Sequence, residues 1–154
     1  MEEHVEMIRR LMLAINRVDG AYYYFSKKMG MKVNTLTLLY ALDDGKPHSQ
    51  KQISQDWLVP KTTLNTNVKE LAEAGYVTLC PEAGTREKTI ALTKEGMELA
   101  EKLMEKLYEA EETAMEKTLR RFSPEFVKAM EYFADDICNE FDRIPLAGGK
   151  EKAE

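Results

Sequence analysis

Lys61, Thr62, Thr63, Asn65, Thr66 and Lys69 set two ammonium groups and four short hydrogen-bonding side chains within nine residues, with no carboxylate until Glu70. Amides and hydroxyls of that length reach base edges in a major groove, whereas lysines pair with phosphates. On a helix whose N-terminus points at the ligand, the backbone dipole adds a further preference for phosphate. The chemistry implied is non-covalent recognition of duplex DNA. The same residues would suit the solvated face of any amphipathic helix, so their neighbours have to decide.

A hairpin pattern follows directly. Tyr76 to Cys80 reads as a strand, Pro81 to Lys88 as a polar loop with Gly84 near its tip, and Thr89 to Leu92 as a returning strand. Arg86 and Lys88 on that loop are suited to an adjacent minor groove, where negative potential concentrates. Other chemistry finds no support in the spacing. His4 and His48 stand in no metal-ligand pattern, and no nucleophile elbow, Walker loop or dinucleotide fingerprint occurs. We therefore expect no enzyme, no cofactor and no metal. Cys80 and Cys138 are too few for a disulfide framework, and buried free thiols are the expectation.

Two helices must position the polar cluster. The first opens at Ser49, which forms an S-x-x-Q capping box with Gln52 and adds a polar contact at the DNA face; Ile53 and Trp57 are its apolar members. After a break at Leu58 and Val59, Pro60 is expected in the first turn of the second helix, where its missing N–H costs nothing. Leu64, Val68 and Leu71 then recur on one face, and Gly75 closes the helix.

Flanking segments are helical too. Val5, Ile8, Met12, Ile15, Tyr22, Phe25 and Met29 form a stripe, interrupted weakly at Gly20. A second helix is expected to start with Asn34 as its cap and to run through Leu42. Thr93 caps a long helix through Leu99, Leu103, Leu107, Ala110 and Ala114, ending near Arg121. Ser123-Pro124 opens a last helix bearing Phe126, Val127, Met130, Phe133, Ile137 and Phe141. The expected fold is mainly α: a winged helix-turn-helix with about six helices and a two- or three-stranded wing. We read one domain over 1–144, with the winged module at about 34–93, dimerisation helices at about 3–30 and 94–144, and a flexible tail at 145–154. The terminal helices carry more apolar surface than a small winged module covers, which predicts a two-fold homodimer over the alternative of an intramolecular bundle. Tyr22, Tyr23, Phe25 and Met29 are candidate lining for a small-molecule effector pocket, although such residues also build ordinary core.

With 154 residues, 44% of them hydrophobic, the chain can bury a core without staples. No apolar stretch approaches the roughly 18 residues of a membrane span, and Met1-Glu2-Glu3-His4 begins unlike a signal peptide, so a cytoplasmic protein is expected. The formal net charge of −5 argues against nucleic acid until its distribution is considered. From residue 46 to 69 four lysines oppose only Asp56, a local +3, while from 97 to 119 seven glutamates oppose three lysines, a local −4. Salt screens charges beyond about 8 Å, so DNA would respond to the docking face.

Ser49 to Ile53, Lys61 to Leu64, Val68 to Leu71, Gly75-Tyr76-Val77 and the run from Arg86 through Leu92-Thr93-Lys94-Glu95-Gly96 together resemble the MarR family of bacterial transcription regulators. That resemblance implies an obligate dimer with interlocked terminal helices, two winged modules on neighbouring half-sites of a palindromic operator, and often a ligand that weakens binding, as in a repressor. Three positions depart from it. Gly84 stands where the family has a wing acid bracing the arginine, Leu58 where the turn often has glycine, and Asn67 where the second helix is commonly apolar. Leu58 is tolerable if its backbone avoids positive φ, and Asn67 if it is exposed or paired. The rival reading is a winged-helix protein-interaction module that does not bind DNA.

Overall fold

A computed structural model of the chain describes residues 2–81 and 88–145. In chain order the elements are α1 (Glu2–Lys28), α2 (Val33–Leu42), β1 (His48–Ser49), α3 (Gln50–Asp56), α4 (Lys61–Glu73), β2 (Val77–Pro81), β3 (Lys88–Leu92), α5 (Lys94–Leu119) and α6 (Glu125–Asp142). The strands form one antiparallel sheet in the order β1-β3-β2. This is the mainly α winged helix-turn-helix that the periodicities predict, with three strands in its sheet. Gly84, Arg86 and the expected tail beyond Pro145 lie outside the described residues.

Hydrophobic burial explains why α2 sits at the centre. Leu36, Leu38, Leu39 and Leu42 are all buried, so the helix is covered on more than one face. Around it gather Ile53 of α3, Leu64, Val68 and Leu71 of α4, Val77 and Ile90 of the sheet, and Leu103, Met104 and Leu107 of α5. Each such side chain contributes about 1.5 to 3 kcal/mol by leaving water, and the interlocked set fixes α3 and α4 against α2. Sheet register follows from the same demand. His48 pairs with Ile90 and Val77 with Leu92, which turns Val77 and Ile90 inward.

Local chemistry sets the boundaries. Ser49 Oγ accepts the Gln52 N–H at 3.0 Å, the bond expected of its cap. At the end of α4, the Tyr76 N–H donates to the Leu71 carbonyl at 2.9 Å and the Gly75 N–H to the Ala72 carbonyl at 3.0 Å. With Gly75 at φ +81° this is a complete Schellman motif, which only a residue free of a Cβ enters without strain. Thr93 caps α5 by accepting the Gly96 N–H at 3.0 Å.

Several boundaries differ from expectation. Asn34 is not the cap of α2: that position belongs to Lys32, extended at φ −76° and ψ 142°, because the helix already begins at Val33. Pro60 is the N-cap of α4 and not its first helical residue, with its carbonyl accepting the Leu64 N–H at 2.9 Å. Pro124 likewise caps α6, one residue later than Ser123, whose Oγ accepts the Glu125 N–H at 3.2 Å. In both cases proline still occupies a place where a backbone N–H would have had no intrahelical partner. Lys88 belongs to β3, opposite Pro81, and not to the loop.

Three expectations about environment are overturned. Cys80 and Cys138 are exposed and not buried: Cys80 shares the outer face of β2 with Thr78, and α6 has no buried residue at all. Leu58 has φ +49°, because the chain must reverse at the end of α3. Asn67 is not exposed, at 4% accessible, and its amide nitrogen Nδ2 is unpaired among the described residues.

The chain divides into two compact units at Leu107 and Tyr108. The first holds α1 through β3, the N-terminal half of α5 and the buried hydrophobic core. The second holds the C-terminal half of α5 and α6, whose Phe126, Met130, Phe133 and Ile137 are half-buried while Tyr132 and Phe141 are exposed.

Candidate nucleic-acid interface

The helix-turn-helix is built by α3, α4 and the four residues between them. Trp57 ends α3 and Leu58 takes the left-handed conformation, after which Ser54 Oγ donates to the Val59 carbonyl at 2.7 Å and pins the turn. Pro60 then starts α4. With Leu64, Asn67, Val68 and Leu71 facing the core, the other side of α4 is left to solvent.

Lys61, Thr62, Asn65, Thr66 and Lys69 are all exposed there, and Thr63 is half-buried beside them. The structure therefore brings the predicted cluster onto one accessible helix face. Thr66 Oγ1 donates to the Thr62 carbonyl at 3.0 Å, which leaves its lone pairs to act as acceptors toward a partner. Lys69 Nζ lies 3.8 Å from the Glu73 carboxylate, an exposed pair that holds it weakly. Ser49 is half-buried and accepts from α3, and Lys88 is exposed at the start of β3. Arg86 falls outside the described residues.

Two polar links near this face had no part in the sequence reading. Lys32 Nζ donates to both carboxylate oxygens of Glu70 at 2.8 and 2.9 Å, tying the start of α2 to the first acidic residue of α4. Their separation by 38 residues leaves no local signal. Ahead of α3, His48 Nε2 lies 2.8 Å from Asp44 Oδ1, which also accepts the Lys46 N–H at 3.0 Å. The His48 hydrogen bond, and after it the Lys46 N–H, hold the Asp44 carboxyl below the usual aspartate range. This pair has i,i+4 spacing, a signal visible in the sequence.

A concavity of about 440 Å³ lies in the first unit, lined by Asp19 and Tyr22 of α1, Val33, Leu36, Thr37 and Tyr40 of α2, and Trp57. Tyr22 is the one member of the candidate effector set that reaches it. Tyr23 is exposed, edge-on to Tyr24 at 5.5 Å and beneath the Lys27 ammonium at 5.4 Å. Phe25 and Met29 pack against the core. Among the described residues, no group of three or more His, Cys, Asp or Glu side chains is gathered to hold a metal ion. Nor is any described helix long and apolar enough to cross a membrane.

Among the described residues, six helices, a pinned turn and a three-stranded wing define a winged helix-turn-helix fold. Residues 29–86 match the model of the MarR family. Among solved structures, the chain is similar to NMB1585, a MarR family regulator from Neisseria meningitidis, with a TM-score of 0.77 and 20% identity over 88% of this chain and 96% of that one. It is also similar to reduced AbfR bound to DNA, with a TM-score of 0.64 and 17% identity over 91% and 98% of the two chains. NadR in complex with 4-hydroxyphenylacetate gives a TM-score of 0.63 and 18% identity over 88% and 91%. No curated protein sequence matches the chain. Over residues 29–86 the chain is thus similar to the MarR family, and with these solved structures it shares the fold.

Proposed function

We propose that the chain is a cytoplasmic transcription regulator that binds double-stranded DNA as a homodimer, acting as a repressor on a palindromic operator. The observation that carries this reading is the face of α4, where Lys61, Thr62, Asn65, Thr66 and Lys69 are exposed together with no carboxylate among residues 61–69. Inserted into a major groove, that face reads base edges with Thr62, Asn65 and Thr66 and meets phosphates with Lys61 and Lys69. Thr63, Ser49, Lys88 and Arg86 extend the contact toward the backbone and the minor groove. The DNA-bound AbfR structure, a fold likeness, is consistent with this use of the fold.

The dimer reading rests on unpartnered apolar residues. Val5, Ile8, Leu13 and Val18 of α1 are exposed, as are Val127 and Phe141 of α6. Covering them against a second copy would remove that area from water and set two α4 helices about one helical turn, roughly 34 Å, apart on DNA. An effector that favours a different separation would weaken binding, in proportion to its differential affinity for the two states.

Selection of duplexes from random DNA tests the proposal, because it returns half-site sequence and spacing together. On the selected duplex, affinity should fall steeply with salt, and Lys61→Ala and Lys69→Ala should each reduce the salt slope by about 0.9. If no duplex is selected, the DNA reading fails and the protein-interaction alternative takes its place.

A further inference from the structure

We propose that the concavity formed by α1, α2 and Trp57 is a binding site for a small organic cation, of the alkyl- or arylammonium class. Three of its lining residues are aromatic, Tyr22, Tyr40 and Trp57, and the charged one is Asp19. The Tyr40 and Trp57 rings meet edge-on, with centroids 5.4 Å apart and planes at 68°, so they form two walls of a corner. Aromatic rings attract a cation through their quadrupole when it lies within about 6 Å of the centroid, and tryptophan does so best. A carboxylate at the same site adds charge complementarity and disfavours an anion. Lys32, next to Val33, does not supply the opposite sign, because its ammonium is held by both oxygens of Glu70.

The site adjoins the entrance to α4. Trp57 is the C-cap of α3, Leu58 follows at φ +49°, and Pro60 caps the next helix. A strained left-handed residue between two fixed helices is where a small displacement of Trp57 passes into the turn. Occupancy therefore acts on the direction of α4, and this regulatory step rests on the DNA reading above.

Trp57 is the sole tryptophan of the chain, so its fluorescence reports the site directly. Titration of the full chain with benzyltrimethylammonium should give a saturable change in emission, with benzyl alcohol at least about ten-fold weaker and benzoate silent. Asp19→Asn, at an exposed position, should weaken the cation by about ten-fold, leave the alcohol unchanged and leave the unfolding temperature of the free protein unchanged. Tyr22→Leu should also weaken the cation. Equal binding of the alcohol or benzoate, an unaltered cation affinity in Asp19→Asn, or no saturable response at millimolar cation would each overturn the proposal. An emission that changes on dilution but ignores the cation would also overturn it, by showing that a second copy fills the site. On a selected duplex, the cation should shift affinity in the wild-type chain and not in Asp19→Asn. A cation response without any DNA binding would sustain the site and sink the DNA reading, whereas DNA binding without a cation response would do the reverse.

Discussion

The Thr93 hydroxyl donates to the Gly75 carbonyl at 2.6 Å while accepting the Gly96 N–H at 3.0 Å. One side chain therefore joins the end of α4 to the start of α5, and the Thr93 N–H adds a bond to the Tyr76 carbonyl at 3.0 Å. The return strand of the wing enters α5 at this junction. Thr93→Ala should destabilise the protein by about 1 to 2 kcal/mol, the usual cost of losing an N-cap hydroxyl. Thr93→Ser should recover most of it, as read from urea denaturation midpoints at constant slope.

Gly96 allows the same junction to close. A Cβ built there would lie 1.9 Å from the Tyr76 carbonyl oxygen, a backbone atom that cannot rotate away. Gly96→Ala should cost about 3 kcal/mol, at the upper end for overpacking, despite alanine's better helix propensity. A neutral or stabilising result in chemical denaturation would contradict the close approach.

Leu58 has the opposite problem. It takes φ +49° and is 81% exposed, so its side chain gains little from burial while its backbone is strained. Leu58→Gly should stabilise the protein by about 1 kcal/mol, the usual penalty for a left-handed L-residue. Thermal unfolding would register this as a higher transition temperature.

Asn67 leaves a buried amide nitrogen without a protein partner. Replacing it with leucine, of similar length and apolar like its neighbours Leu64, Val68 and Leu71, should stabilise the fold by about 1 to 3 kcal/mol, the cost of an unpaired buried polar group. A loss of stability on Asn67→Leu would mean that the amide is satisfied.

Asp44 gives the pH dependence. Its folded carboxyl is held below the ordinary value, chiefly by the bond to His48, so its contribution is present above about pH 4, where an unfolded aspartate is ionised. It is lost as pH falls through the lowered folded value. Carboxyl titration by NMR should find Asp44 below the usual range in the wild-type chain and close to it in His48→Ala.

What could be inferred from the chain and what could not divide along the reach of local interactions. Ser49 bonds three residues ahead, Gly75 supplies a positive φ, Thr93 caps the helix that begins beside it, and Leu64, Val68 and Leu71 repeat with the helical period. Those relationships span at most one or two turns, so residue types and spacing alone fix the helix-turn-helix, the two hairpin strands and the polar face of α4, whereas β1 at His48–Ser49 exists only through its pairing with β3. Lys32 meets Glu70 across 38 residues, and Asp19, Tyr40 and Trp57 converge from three parts of the chain. Cys80 and Cys138 lie in ordinary strand and helix patterns, yet both are exposed. Burial depends on which other element covers a face, and such pairings carry no periodic signature. The sign of φ at Leu58 was likewise decided by the reversal that packing demands between α3 and α4.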